Sequence, residues 1–125
     1  MYKRLFILPL ILTLALSAPV NRSVSDKISE NVFNQFNIEK RFSYDVKTIE
    51  VIKDNNIDLI YIYHLNPIGY ILVSADDRTE PYLGYSLSSN FRTSNMPESF
   101  YYMFDNLKNI VKNPIIDNKV QSLEI

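Results

Sequence analysis

Several kinds of hydrophobic pattern follow one another along this chain. Leu5 to Leu16 is almost unbroken apolar sequence, preceded by Lys3 and Arg4 and followed by the small residues Ser17 and Ala18. That order is the layout of a secretory leader, and its apolar run is short for a membrane span. Cleavage after Ala18 would put Pro19 at the cut. Cleavage after Ser17 avoids this, so the leader is expected over 1–17 and the mature chain from Ala18. From Ser25 the period changes. Ile28, Val32, Phe33 and Phe36 fall on one helical face, with Ser25 as the expected cap, and the spacing predicts a helix to about Lys40. Asp45 to Lys53 is rich in β-branched residues and predicts a strand. Leu59 to Leu65 is apolar or aromatic on both faces and predicts a central strand. Asn66-Pro67-Ile68-Gly69 turns the chain, and Tyr70 to Ser74 returns beside it. Pro81 to Ser86 predicts a further short strand, with its proline confined to the start.

After a polar stretch around Phe91 the helical period returns. Phe100, Met103, Phe104, Leu107, Ile110 and Val111 form a stripe. Asn95 followed by Glu98 resembles a capping box, Pro97 suits the first turn, and Asn113-Pro114 is expected to end the helix. The fold class is therefore α+β, a small antiparallel sheet of three to four strands with two helices packed against it. The organisation is a leader over 1–17, one folded domain over 18–112 and a tail over 113–125.

Composition removes most chemistries. The 125 residues contain no cysteine, one histidine and two glycines. A disulfide scaffold, a thiolate metal site, a cysteine nucleophile, a multi-histidine metal site and a glycine-rich phosphate loop are all excluded. The net charge is −1, and loss of Lys3 and Arg4 with the leader leaves 11 basic against 14 acidic side chains. That balance does not suit nucleic acid.

The remaining polar candidates are few. His64 sits inside the strongest strand, where a lone histidine is more often structural than catalytic. Asp76 and Asp77 precede Arg78, an arrangement that reads as a turn with a local ion pair rather than as an acid–base pair. Ser74 has no spacing to His64 that marks a triad. Tyr101 and Tyr102 fall off the stripe of the second helix and are candidate interface anchors. The residues alone describe a small exported α+β domain without an enzyme's equipment.

One stretch says more. Gly69-Tyr70-Ile71-Leu72-Val73-Ser74-Ala75-Asp76-Asp77-Arg78-Thr79-Glu80-Pro81-Tyr82-Leu83-Gly84-Tyr85-Ser86 resembles the signature of the propeptide of streptopain-type cysteine proteases and of the stand-alone inhibitors related to it, the Spi-like protease inhibitors. The resemblance covers about Ile57 to Lys112. Its signature residues Gly69, Ser74, Asp76, Arg78, Pro81, Gly84, Tyr85 and Ser86 read as scaffold: the two glycines at backbone positions few other residues can occupy, Asp76 and Arg78 tying a turn.

The resemblance implies a secreted or periplasmic protein that inhibits a streptopain-type cysteine protease reversibly, by occluding its active-site cleft, with no cofactor and no metal. The implied protease-binding residues are Ser94, Asn95, Met96 and Glu98 in the loop before the second helix, with Tyr101 and Tyr102 beside them. With no cysteine, the chain itself is not the protease. The alternatives are a detached propeptide that once assisted folding, and a secreted binding module reusing the scaffold. A small enzyme built on His64 with Asp76 or Asp77 is a distant fourth reading.

Overall fold

The computed structural model describes residues 19–124, with the backbone alone from 118 onward. The leader expected over 1–17 lies outside the described residues. Helix α1 spans Arg22–Phe36. It begins earlier than the sequence suggests because Asn21, not Ser25, caps it. Asn21 has extended backbone, and its Oδ1 accepts from the Val24 N–H at 3.0 Å. Ser25 instead points inward, fully buried, with its hydroxyl 2.7 Å from that of Tyr63. The helix stops at Phe36, short of Lys40. The Asn37 N–H still reaches the Phe33 carbonyl, but its side-chain amide donates to the Phe42 carbonyl at 2.8 Å and reverses the chain.

Four strands follow: β1 (Val46–Asp54), β2 (Ile57–Leu65), β3 (Tyr70–Ser74) and β4 (Tyr82–Ser86). They form one antiparallel sheet in sequence order, β1-β2-β3-β4. Asn55 and Asn56 both have positive φ, 51° and 64°, which suits the tight β1–β2 hairpin. Successive side chains of β2 point to opposite faces. On one face Tyr61, Tyr63 and Leu65 join Ile71, Val73 and the α1 residues Val32 and Phe33. On the other, Ile60 and Ile62 join Leu72, Phe91, Phe104, Val111 and Ile115. The helices therefore cover opposite faces, and the α+β architecture is three layers deep with the sheet in the middle.

Helix α2 (Glu98–Glu124) supplies the second cover. Three details differ from the sequence reading. Asn95 is not its cap: its φ is +57°, left-handed, whereas a cap residue is extended. Pro97 takes that place, its carbonyl accepting from the Phe100 N–H at 3.0 Å. Nor does the helix end at Asn113-Pro114. Pro114 lacks the N–H that would bond the Ile110 carbonyl, but Ile110 is half exposed, so water can serve that group. Beyond the proline, Ile115 is buried in the cluster on β2, and that burial carries the helix onward. The buried line along α2 is Phe104, Val111 and Ile115. Met103 and Ile110, expected in the stripe, lie about 100° around the helix from it and are exposed.

Candidate functional site

The loop between β4 and α2 leaves the fold at Phe91 and returns at Phe100. Both rings sit in the cluster under α2, with centroids 5.4 Å apart. Phe91 also packs on Tyr70 and Phe104, at 5.0 and 5.6 Å. Residues 92–99 thus form a projecting loop with a closed aromatic base, the construction of a compact Ω-type loop. A hydrogen bond supports the base: the Gly69 N–H donates to Asn90 Oδ1 at 3.1 Å.

All six candidate binding residues lie on this loop and the first five residues of α2. Ser94, Asn95 and Glu98 are exposed, and Met96 is half-buried. Tyr102 is 73% exposed, unusual for so large an apolar ring, and Tyr101 is 38% exposed. Glu98 sits in the first turn, where the helix dipole favours an acidic group. Asn95 holds its left-handed backbone at the tip, a conformation asparagine tolerates better than most residues. Tyr101 does something its exposure does not announce. Its hydroxyl accepts from the Met96 N–H at 3.1 Å, across the loop. Its ring meets that of Phe100 edge-on at 5.5 Å.

The signature residues are engaged within the fold. The Ser74 hydroxyl is 2.8 Å from the Asp76 carbonyl and 2.7 Å from the Thr79 hydroxyl. Asp76, buried, accepts from Arg78 Nη1 at 2.6 Å and from the Arg78 N–H at 3.0 Å. The Pro81 carbonyl accepts from the Ser74 N–H. Tyr85 stacks on Phe36 at 4.2 Å, and Ser86 Oγ accepts from the N–H groups of Ser88 and Ser89. Gly69 has φ +118°, and a Cβ there would meet the Ser86 carbonyl oxygen at 2.8 Å. Gly84 differs from the sequence reading. A Cβ there would make ordinary contact with Leu72 at 3.7 Å, so the fold itself does not demand glycine.

His64 and the aspartates do not meet. His64 pairs with Tyr70 at one end of the β2–β3 ladder, whereas the Ala75 N–H bonds the Leu59 carbonyl at the other. Five residues of strand separate those ends, roughly 17 Å. His64 Nε2 instead lies 3.1 Å from Glu50 Oε1 on the neighbouring strand. The dyad considered from the sequence is not formed. Among the described residues no cluster of His, Asp and Glu is arranged to hold a metal ion. No described helix is long and apolar enough to cross a membrane.

The aromatic base and the Tyr101 contact were not anticipated from the sequence. From the sequence Phe91 reads as the apolar residue of a polar stretch and Phe100 as the start of the helical stripe, and the polar segment between them is the available signal. The family model described as Spi protease inhibitor matches residues 17–111. No curated protein and no solved structure gives a significant match.

Proposed function

Because this chain belongs to the Spi protease inhibitor family, we propose that it inhibits a cysteine protease of the streptopain type by laying its 92–99 loop across the active-site cleft. The coarse role, protease inhibitor with a protease as partner, follows from the family. The target class and the mechanism are our reading. The observation that carries it is the loop itself. Ser94, Asn95, Met96 and Glu98 project from a base clamped by Phe91 and Phe100, with the exposed ring of Tyr102 alongside.

A rigid base matters for this role. Binding costs the ordering of whatever is loose, so a loop whose ends are already fixed loses less entropy on entering a cleft. A loop plus one helical turn is a narrow footprint. Specific binding needs roughly 1,200–2,000 Å² of total buried surface, so Tyr101, Tyr102 and the neighbouring face of α2 must contribute beside the loop. Nothing in this mode requires a covalent bond or a cofactor. Export, through a leader over 1–17, would bring the inhibitor to a secreted or periplasmic enzyme.

The test is an active-site titration. The chain from Ala18 to Ile125 is added to a streptopain-type protease, with a papain-type protease as control. The expected result is stoichiometric, reversible loss of activity for the first enzyme alone. Alanine at Asn95, Met96 and Glu98 then locates the plug, and at least one substitution should weaken inhibition by about tenfold or more. A folded chain that leaves the streptopain-type enzyme active at micromolar concentration would return the weight to a detached propeptide or a repurposed binding module.

A further inference from the structure

A loop that enters a protease cleft meets a surface built to bind extended backbone and cut it. One way for such a loop to escape cleavage is a shape that fits the cleft but does not run through it as a strand. Two observations bear on how this chain does so. Asn95 is left-handed, with φ +57°, so Ser94-Asn95-Met96 is not extended. The next residue is tied: the Met96 N–H donates to the Tyr101 hydroxyl at 3.1 Å. Extended peptides in protease clefts are held through their own N–H and carbonyl groups, and this tie occupies one of them.

We propose that Tyr101 is a positioning residue whose hydroxyl straps the loop in a non-substrate shape, so that the loop blocks the cleft without being cut. The inference rests on the inhibitor reading above, and it changes the role of Tyr101 from contact to strap. The geometry suits the task. Tyr101 is on the first turn of α2, a rigid element anchored through Phe100 and Phe104, whose rings stack at 5.8 Å. The Tyr101 N–H is bound to the Pro97 carbonyl at 3.4 Å, so backbone and hydroxyl grip the loop at two successive residues. A left-handed non-glycine residue is intrinsically disfavoured and persists where its surroundings enforce it. The strap is the contact beside Asn95 that does so. Without it the loop relaxes toward extended conformations, which are the ones a protease cleaves.

The test uses Tyr101→Phe in the full mature chain. Phenylalanine keeps the ring against Phe100 and loses the hydroxyl alone, so the thermal midpoint should stay within about 2 °C. In the free protein the Met96 amide is read by NMR hydrogen exchange, which needs no protease. Loss of one exposed hydrogen bond should speed its exchange by about three- to tenfold. The chain is then incubated with the streptopain-type protease and followed by mass spectrometry. Wild type should stay intact, while the variant should be cut within residues 94–98 and its inhibition should fade with time.

An unchanged Met96 amide in Tyr101→Phe overturns the strap, whatever the protease does. A faster amide with a loop that remains uncut overturns the protective role. A direct contact role for Tyr101 would show as weaker initial inhibition with an unchanged amide and no cleavage. Wild-type protein that does not inhibit, yet shows the amide effect, sinks the inhibitor reading and with it the purpose assigned to the strap, while leaving the contact itself established.

Discussion

A methyl group built onto Gly69 would sit 2.8 Å from the Ser86 carbonyl oxygen, on a backbone with φ +118° that L-residues rarely adopt. The same methyl on Gly84 would touch Leu72 at an ordinary 3.7 Å. Gly69→Ala is therefore expected to cost about 2–4 kcal/mol, and Gly84→Ala to change stability by less than about 1 kcal/mol. Urea melts of the two variants check this. Equal losses would show that the close approach at Ser86 is not what glycine serves. From sequence the two glycines looked alike, because each brackets the same motif. Backbone angle and the nearest atom distinguish them, and neither is written in the residue type. Tyr63 makes a similar point. It read as a core aromatic, and its ring is fully buried. Its hydroxyl donates to Asp26 at 2.6 Å and meets the buried Ser25 hydroxyl at 2.7 Å. Burial first, and the bond to Asp26 second, push this phenol well above the ordinary tyrosine range. The raised value keeps the hydroxyl neutral and donating through the neutral range. Tyr63→Phe leaves Ser25 without that partner and should cost about 1–3 kcal/mol in the same melts.

At the scale of elements, the meander was legible and the helix ends were not. Alternation and turn residues located β1 to β4 within a residue or two, because a strand's period depends on its own side chains. Helix ends depend on partners. Asn21 outcompetes Ser25 as a cap because Tyr63, 38 residues away in sequence, claims the serine. Helix α2 outlasts Pro114 because Leu59 and its neighbours on β2 offer Ile115 a place in the core. Ile115→Ala should accordingly destabilise the protein by about 2–4 kcal/mol, as for other core truncations. A loss below about 0.5 kcal/mol would mean that the packed helix ends at the proline after all. A second tie holds the same helix to the sheet edge. Lys112 Nζ pairs with the Asp54 carboxylate at the end of β1. The hydrogen bond to Lys112, then its charge, hold the Asp54 carboxyl below its ordinary value. A depressed folded-state value means the tie contributes above about pH 4, the unfolded range, and is lost as pH falls through the lower folded value. Asp54→Asn should lower the thermal midpoint slightly at neutral pH and flatten that part of the acid limb in a pH series, the two proteins converging below the folded-state value. An acid limb of unchanged slope would show the pair to be dispensable.

Across the whole molecule, the candidate binding residues and the framework occupy separate ground. The signature from Gly69 to Ser86 supplies an inner strand, the edge strand paired to it and the Asp76–Arg78 tie, and these contacts are internal. The candidate binding residues begin at Ser94, past the end of the signature. The part of the sequence that made the family recognisable is thus the part that builds the scaffold. The loop beyond it carries weak sequence signal because exposed residues on a closed base are free of packing constraints. The position of the loop could be read from its neighbours. Its internal shape, set by the left-handed Asn95 and the Met96–Tyr101 bond, could not.

The Phe91–Phe100 closure has a consequence for how such proteins change over time. Because the two rings seal the base from within the core, residues 92–99 behave as an exchangeable cassette. Drift in the cassette costs the framework little, so the proposed contact surface can change without the fold being rebuilt. The same property invites deliberate retargeting. Replacing the side chains of Ser94 and Met96 with unrelated polar ones, with Asn95 and the Pro97-Glu98 helix start kept, should leave the melting free energy within about 1 kcal/mol, whereas Phe91→Ala should cost about 3–5 kcal/mol and release the cassette from its socket.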